Sequence, residues 1–237
     1  MNASLDLVLQ HPGIWRGDQL AQTEEDTLPT GFAELDEQLP GGGWARGALT
    51  EILLEREGIG ELRLLLPALA RVSSQNAWQA WVSPPHVPYA PALSVAGINL
   101  KQLLVAKPQS AADAWWTAEQ ALRSGACSAV LAWLSTPDEK RMRRLQLGAE
   151  TGHAWGVLFR SASAAQERST ASLRLRLEAT SNGLAVHILK RRGGQVSKPL
   201  MLNLHQTNVV RRARPAPPSL SPPSLSVVQS SRSASRS

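Results

Sequence analysis

The chain has 237 residues, which is long enough for one α/β domain with a buried core, and its hydrophobic fraction of 43% is typical of globular proteins. It contains no apolar run of about 18 residues, which excludes a transmembrane helix. The first residues carry neither a basic nor a long apolar segment, so no secretory signal is expected. One cysteine, Cys127, excludes an internal disulfide and lies in an apolar run, which predicts a buried thiol in a reducing cytoplasm.

The net charge of +6 is unevenly distributed along the chain. Residues 1–61 carry twelve acidic and three basic side chains, whereas residues 62–237 carry seven acidic and 22 basic ones. This asymmetry predicts an acidic pole and a basic pole, and the basic one suits nucleic acid or an acidic protein. Five of the cations are arginines within residues 211–237, so the body of the protein is nearly neutral. A module that coats DNA with its whole surface is therefore disfavoured.

Composition divides the chain into three parts. Residues 1–27 form an N-terminal element and a linker, and residues 28–210 form the core domain. Residues 211–237 contain nine Ser, five Pro and five Arg. Because a segment of that composition cannot bury an apolar core, we expect a disordered tail.

The core alternates strand and helix patterns. Strands are expected at Ala48–Leu54, 77–82, Leu103–Ala106, 128–134 and 155–160, and helices at 33–38, Glu61–Ser74, 91–96, 110–124 and 137–151. This alternation predicts an α/β fold with a mostly parallel sheet flanked by helices. The end differs, because residues 173–179 and 184–190 alternate apolar and polar side chains around Asn182-Gly183, a hairpin signal. We therefore expect an antiparallel C-terminal hairpin, extended by residues 199–204.

The stretch 28–54 resembles the start of the core of the bacterial recombinase RecA. The matching residues are Thr30, Gly31, Leu35, Asp36, Gly42, Gly43, Gly47 and Glu51. Later matches follow in the same order at 96–98, 103–108 and 122–126, so the resemblance covers roughly residues 28–205. It implies a RecA-like core with a phosphate-binding loop after the strand Ala48–Leu54.

More narrowly, residues 11–17 and 28–51 resemble the ImuA family, the RecA-like accessory proteins of bacterial translesion synthesis, which is often grouped with the division inhibitor SulA. The resemblance implies a non-catalytic adaptor in SOS-induced, error-prone translesion DNA synthesis. Its implied partners are an inactive Y-family polymerase of the ImuB type and an error-prone replicative-type polymerase, with RecA as a further candidate and DNA bound indirectly. Two alternatives stay open: a SulA-like cell division inhibitor that caps a cytoskeletal GTPase, and a divergent DNA-dependent ATPase.

The residues that an ATPase of this fold needs are absent from the expected positions. Such an enzyme uses a glycine-rich loop with a lysine and a hydroxyl, together with two carboxylates that serve the attacking water and the metal. The loop here is degenerate and contains Leu54, Gly58, Gly60, Glu61 and Leu62. Glu61 and Leu62 stand where the lysine and the hydroxyl belong, and the carboxylate positions align with Pro85 and Trp133. We therefore expect no enzyme activity and no nucleotide cofactor, and the histidine spacing predicts no metal site.

Two kinds of residue are candidates for contact with DNA or with a partner protein. They are the cations Lys190, Arg191, Arg192, Arg211, Arg212 and Arg214 and the tryptophans Trp15 and Trp116. Cations at the end of a strand either contact phosphates or protect a sheet edge from pairing, and both interpretations stay open. Tryptophan anchors many interfaces, and Trp44 is a further candidate for that role. The tryptophans in predicted strands, Trp78, Trp81, Trp133 and Trp155, are expected in the core. No membrane and no small-molecule substrate are expected.

Overall fold

The computed structural model describes residues 26–134, 138–194 and 198–204. The predictions for the N-terminal element with Trp15 and for the arginine-containing tail 211–237 therefore concern residues outside this described part. Within it, none of the helices is long and apolar enough to cross a membrane.

The described elements follow the alternation that the sequence predicts. The strands are β1 (Thr27–Leu28), β2 (Trp44–Ala45), β3 (Ala48–Leu54), β4 (Trp78–Val82), β5 (Leu103–Ala106), β6 (Cys127–Trp133), β7 (Trp155–Ser161), β8 (Leu173–Thr180), β9 (Gly183–Lys190) and β10 (Leu200–Leu202). The helices are α1 (Ala33–Asp36), α2 (Glu61–Ser74), α3 (Ala90–Val95), α4 (Ala111–Arg123) and α5 (Glu139–Gly152). Short 3-10 helices lie at Pro40–Gly42, Leu100–Gln102 and Ala162–Gln166.

Within the described residues, the main sheet has eight strands in the order β10-β9-β8-β3-β7-β6-β4-β5. The strands from β8 to β5 in this order run parallel, and β9 is antiparallel to both of its neighbours. The expected α/β fold, with a mostly parallel sheet and an antiparallel C-terminal hairpin, is confirmed.

Helices cover both faces of the sheet. Leu64 and Leu65 of α2 pack into the core on one face, and Leu122 of α4 and Leu145 of α5 pack into the core on the other. The central strands are buried on both sides and read as nearly continuous apolar runs for that reason. The exceptions in β3 are Thr50 and the charged Glu51, and both are buried.

The observed ends of several helices and strands match the predicted ones, and side-chain caps define the starts of two helices. The bounds of β3, α2 and β5 match the predicted ones at both ends. Ser110 caps α4, because its hydroxyl accepts a hydrogen bond from the Asp113 N–H at 3.1 Å. The predicted helix 137–151 instead begins at Glu139, because the carboxylate of Asp138 accepts the Arg141 N–H at 2.7 Å and forms the cap.

Two predictions about tryptophan are wrong, and one about cysteine is confirmed. Trp44 is fully buried and stacks on Trp155 with ring centroids 5.3 Å apart, so it is a core residue and not an interface anchor. Trp78 is 39% exposed, because it is the first residue of β4 and lies at the amino end of that strand, and it is not a core residue. Cys127 is buried, and burial raises the pKa of its thiol.

The last described residues bring the chain to the carboxyl edge of the parallel strands. Strand β10 pairs Leu202 with Leu184 at the start of β9, and β9 starts where β8 ends. The side chain of Leu204 is buried beside the loop that follows β3. A Cβ atom on Gly60 of that loop would lie 2.6 Å from Leu204 Cδ1, so a larger residue would displace the Leu204 side chain, and the φ of 114° also favours glycine.

Candidate functional site at the carboxyl edge of the sheet

Loops that follow β3, β4, β6 and β7 surround a cleft of about 620 Å³ at the carboxyl edge. The lining includes Glu55, Arg56, Glu57, Ser83, Trp133 and Phe159. Ligands of open α/β sheets bind outside the carboxyl ends of the strands, so this cleft is where a nucleotide is expected in an ATPase of such a fold.

The loop after β3 is closed by its own glutamate. Glu61 is the first residue of α2, and its side chain turns back over the loop. Its Oε1 accepts a hydrogen bond from the Gly58 N–H at 2.9 Å, and its Oε2 accepts one from the Gly60 N–H at 3.0 Å. A carboxylate at a helix N-terminus is further stabilised by the helix dipole. Gly58 and Gly60 have φ values of 78° and 114°, which glycine adopts at low cost.

The position of Glu61 determines what the loop can bind. In a phosphate-binding loop, backbone N–H groups of this kind point at the phosphate oxygens. Here two of them are already bonded to a carboxylate, which also repels an incoming phosphate. Leu62 offers no hydroxyl for a metal ion, and Leu54 is buried at the end of β3.

Aromatic rings occupy the part of the cleft where the metal-side carboxylate is expected. Trp133 at the end of β6 stacks on Phe159 with centroids 4.5 Å apart and planes 14° apart. The ring of Trp81 is tilted by 53° to that of Trp133, with centroids 6.0 Å apart. Across the cleft, Ser83 has a φ of 55°, a strained conformation for a residue other than glycine. The floor is therefore apolar, and one wall has a strained backbone.

The carboxylates of the cleft lie on its rim. Glu55 Oε1 is 3.5 Å from Arg176, and Glu57 Oε2 is 3.8 Å from His86. Both glutamates are exposed, so these ion pairs contribute little to stability and exchange readily. Among the residues that the structure describes, no group of three His, Cys, Asp or Glu side chains could hold a metal ion.

A buried ion-pair network next to the cleft was missed by the sequence reasoning. Glu51 in β3 receives Arg160 Nη1 on Oε1 and Arg174 Nε on Oε2, both at 2.5 Å. Arg160 also contacts Glu167, and Arg174 donates to the carbonyls of Ala164 and Glu167 at 2.8 Å. The network fastens the 3-10 helix Ala162–Gln166 to the sheet. Burial by itself lowers the pKa of Arg160, but the hydrogen bonds to Glu167 and Glu51 raise it above its ordinary value.

The sequence carried a signal for this network. A glutamate inside an apolar strand requires a cation, because an unpaired buried charge is costly. The alternation of the hairpin placed Arg174 on a polar face, whereas the structure buries it, because β8 pairs with β3 and brings Arg174 beside Glu51.

The basic candidate residues that are described do not gather at the cleft. Lys190 ends β9 and donates to the Ser169 carbonyl at 2.8 Å; burial and the charge of Arg174 lower its pKa. Arg191 donates to the carbonyl of Gln38. Arg191 and Arg192 line a second cavity of about 270 Å³, which also contacts the amino end of β3.

The other candidate residues divide into one that is exposed and four that are not described. Trp116 on α4 is 61% exposed and is therefore accessible to a partner. Trp15, Arg211, Arg212 and Arg214 lie outside the described residues. Their roles stay predictions.

Comparisons with known proteins point to one family. The family model described as "Cell division inhibitor SulA" matches residues 47–156. The cell division inhibitor SulA of Edwardsiella piscicida is 36% identical over 99 residues, which are 41% of this chain and 59% of the relative. SulA of Yersinia enterocolitica is 30% identical over 117 residues, 48% of this chain and 68% of the relative. RecA of Bacillus licheniformis is 29% identical over 136 residues, 54% of this chain and 39% of that protein.

These similarities correct the expected function. The matched family and both SulA relatives are described as cell division inhibitors, so the expectation of a translesion-synthesis adaptor is wrong and its first alternative is better supported. The narrower resemblance depended on residues 11–17 and 28–51. The family match spans residues 47–156, from the start of β3 to the start of β7, and overlaps that segment only at residues 47–51. The expectation of a non-catalytic protein is supported by the same relatives.

Proposed function

The chain belongs to the SulA family, and from this premise we propose that it is an inhibitor of cell division that acts by binding and not by catalysis. The match covers 59% of the length of the Edwardsiella relative, so an activity and a partner like those of the whole relative are proposed for this chain.

The single observation that carries this proposal furthest is the bonding of Glu61 to the Gly58 and Gly60 N–H groups. The Glu61 carboxylate occupies the N–H groups that an ATPase keeps free for phosphate. The loop is thus stabilised by a side chain of the protein itself and needs no ligand. We propose that the loop is a degenerate remnant of a RecA-like phosphate-binding loop. A protein with such a loop exerts its effect through its surface, as an inhibitor does.

The proposed partner is a protein of the division machinery, a cytoskeletal GTPase that the chain caps. Trp116 is the candidate anchor for this contact. It lies inside the segment 47–156 that matches the family, and its exposed indole on α4 offers a large apolar surface. Lys190, Arg191 and Arg192 lie outside that segment. Induction during the SOS response and a cytoplasmic location stay predictions, as does binding to RecA or DNA.

Expression of the full chain in a rod-shaped bacterium tests the proposal. We expect cells to elongate into filaments without septa while DNA replication continues, and the purified chain to retain the division GTPase in a pulldown. A W116A variant should lose most of both effects. The matched control is W78A, because Trp78 is also exposed but lies on a different element. Normal cell length at high levels of folded protein would refute the proposal.

A further inference from the structure

The cleft at the carboxyl edge combines an apolar floor with an acidic rim. Trp133 and Phe159 provide the stacked aromatic floor, and Glu55 and Glu57 lie at the rim. Two arginines also line the cleft, but Arg160 is paired with Glu51 and Glu167, which leaves Arg56 as the cation beside the two rim glutamates. An extended peptide with an apolar pair followed by cations is the ligand that this arrangement matches.

Two exposed apolar side chains lie in the segment that follows β4, next in sequence to residues that line the cleft. His86 Nε2 lies 3.8 Å from Glu57 Oε2, so the segment after β4 passes beside the acidic rim. In that segment Val87 is 76% exposed and Tyr89 is 71% exposed. Such adjacent exposed apolar residues mark a binding surface more often than scattered ones do. The strained Ser83 backbone lies on the same wall.

The chain itself supplies a matching peptide at this edge. Leu204 packs against Gly60, so the residues that follow leave the described part of the chain beside the loop that bears Glu55 and Glu57. Their sequence continues to Val209-Val210, then Arg211-Arg212, without any acidic residue. Seven extended residues span at most about 25 Å, so Arg211 can reach the rim. A short tether also gives a local concentration on the order of millimolar.

We propose that residues 205–214 of this chain dock in the carboxyl-edge cleft. The valine pair covers the Trp133–Phe159 floor, and Arg211 and Arg212 pair with Glu55 and Glu57. The second cavity is the poorer site for this segment, because its three arginines, Arg46, Arg191 and Arg192, outnumber its two acidic residues, Asp26 and Glu150, and disfavour further arginines. The docked segment would compete with any partner for the cleft. This inference does not depend on the proposed function.

Hydrogen exchange of the full-length chain tests the docking. In an R211E/R212E variant, the amides of residues 55–60 and 83–89 should exchange faster by about tenfold, because docking no longer protects them. The matched control, R232E/R236E, changes two other arginines of the same tail and should leave the exchange unchanged. A charge-swapped variant with R211E, R212E, E55R and E57R should regain the protection.

The outcomes separate the possible occupants of the cleft. Equal exchange in the wild type and in R211E/R212E would overturn the proposal, as would a change confined to residues around the second cavity. Protection that disappears on dilution would also overturn it, because the occupant would then be the tail of a second copy. Protection that is independent of concentration, lost in R211E/R212E and restored by the swap supports docking within one chain.

Discussion

The carboxylate of Glu61 accepts a hydrogen bond from the backbone N–H of Gly58 at 2.9 Å, and this bond closes the loop after β3 with a group of the chain itself. The side chain lies where the sequence of an active loop has a lysine, but it turns inward and satisfies the backbone. The loop therefore keeps its shape without phosphate.

Substitution of Glu61 should destabilise the fold. In E61A, the backbone N–H groups of Gly58 and Gly60 lose their acceptor; because Gly58 is exposed and Gly60 is half-buried, water replaces part of each bond, and the cost is about 0.5–1.5 kcal/mol each. Urea unfolding followed by circular dichroism measures the loss. The control E57A removes an exposed glutamate from the same loop and should change stability by less than about 0.5 kcal/mol. Equal effects of the two substitutions would contradict the role assigned to Glu61.

The wild-type chain should not bind Mg-ATP. The carboxylate of Glu61 occupies the donors that a phosphate would need, and Trp133 and Phe159 fill the metal side of the cleft. Isothermal titration calorimetry should show no heat of binding at micromolar nucleotide. A stoichiometric micromolar affinity, lost in a variant of residues 54–62, would prove this prediction wrong.

Removal of Glu51 should be the most destabilising single change among the charged residues of the cleft region. E51A leaves Arg160 and Arg174 buried without their shared partner, which costs about 3–5 kcal/mol. Chemical denaturation measures this cost, and E55A at the exposed rim serves as the control. A triple variant with apolar residues at positions 51, 160 and 174 should recover part of the stability, because it leaves no unpaired charge. Equal stability of E51A and E55A would contradict the buried network.

The free energy of unfolding should fall at alkaline pH because of the buried thiol of Cys127. Burial raises the pKa of this thiol above its ordinary value of 9.0. Between the ordinary and the raised value, the unfolded chain has released the proton and the folded chain keeps it, so the free energy of unfolding falls as pH rises. C127A lacks this dependence, so its deficit relative to the wild type should shrink from about pH 8 to about pH 10. Urea unfolding at both pH values measures the difference, and a constant deficit would contradict the assignment.

Substitution of Trp116 should separate binding from folding. Because the indole is exposed on α4, W116A should change stability by less than about 0.5 kcal/mol while partner retention falls. Thermal unfolding and pulldown on the same sample distinguish the two. A large loss of stability in W116A would show that the residue is structural.

The sequence by itself determined most of the helices and strands, and it showed that the residues an ATPase needs are absent from the expected positions. Helix α2 has an apolar face with helical spacing, and the hairpin between β8 and β9 has strand alternation around Asn182-Gly183, so local periodicity specified both. The absence of a lysine and a hydroxyl from residues 61 and 62 is also a local fact, because Glu61 and Leu62 stand there. The sequence could not show that the Glu61 side chain turns inward, because that orientation depends on the left-handed backbone at Gly58 and Gly60.

Only the tertiary structure decided which distant residues meet. Glu51 and Arg174 are 123 residues apart, and the pairing of β3 with β8 brings them together. Tertiary packing also places Leu204 against Gly60. It buries Trp44 against Trp155 and leaves Trp78 partly exposed. Periodicity reports which face a residue shares with its neighbours in sequence. Burial and pairing depend on the order of strands in the sheet, which arises from contacts between segments far apart in the chain.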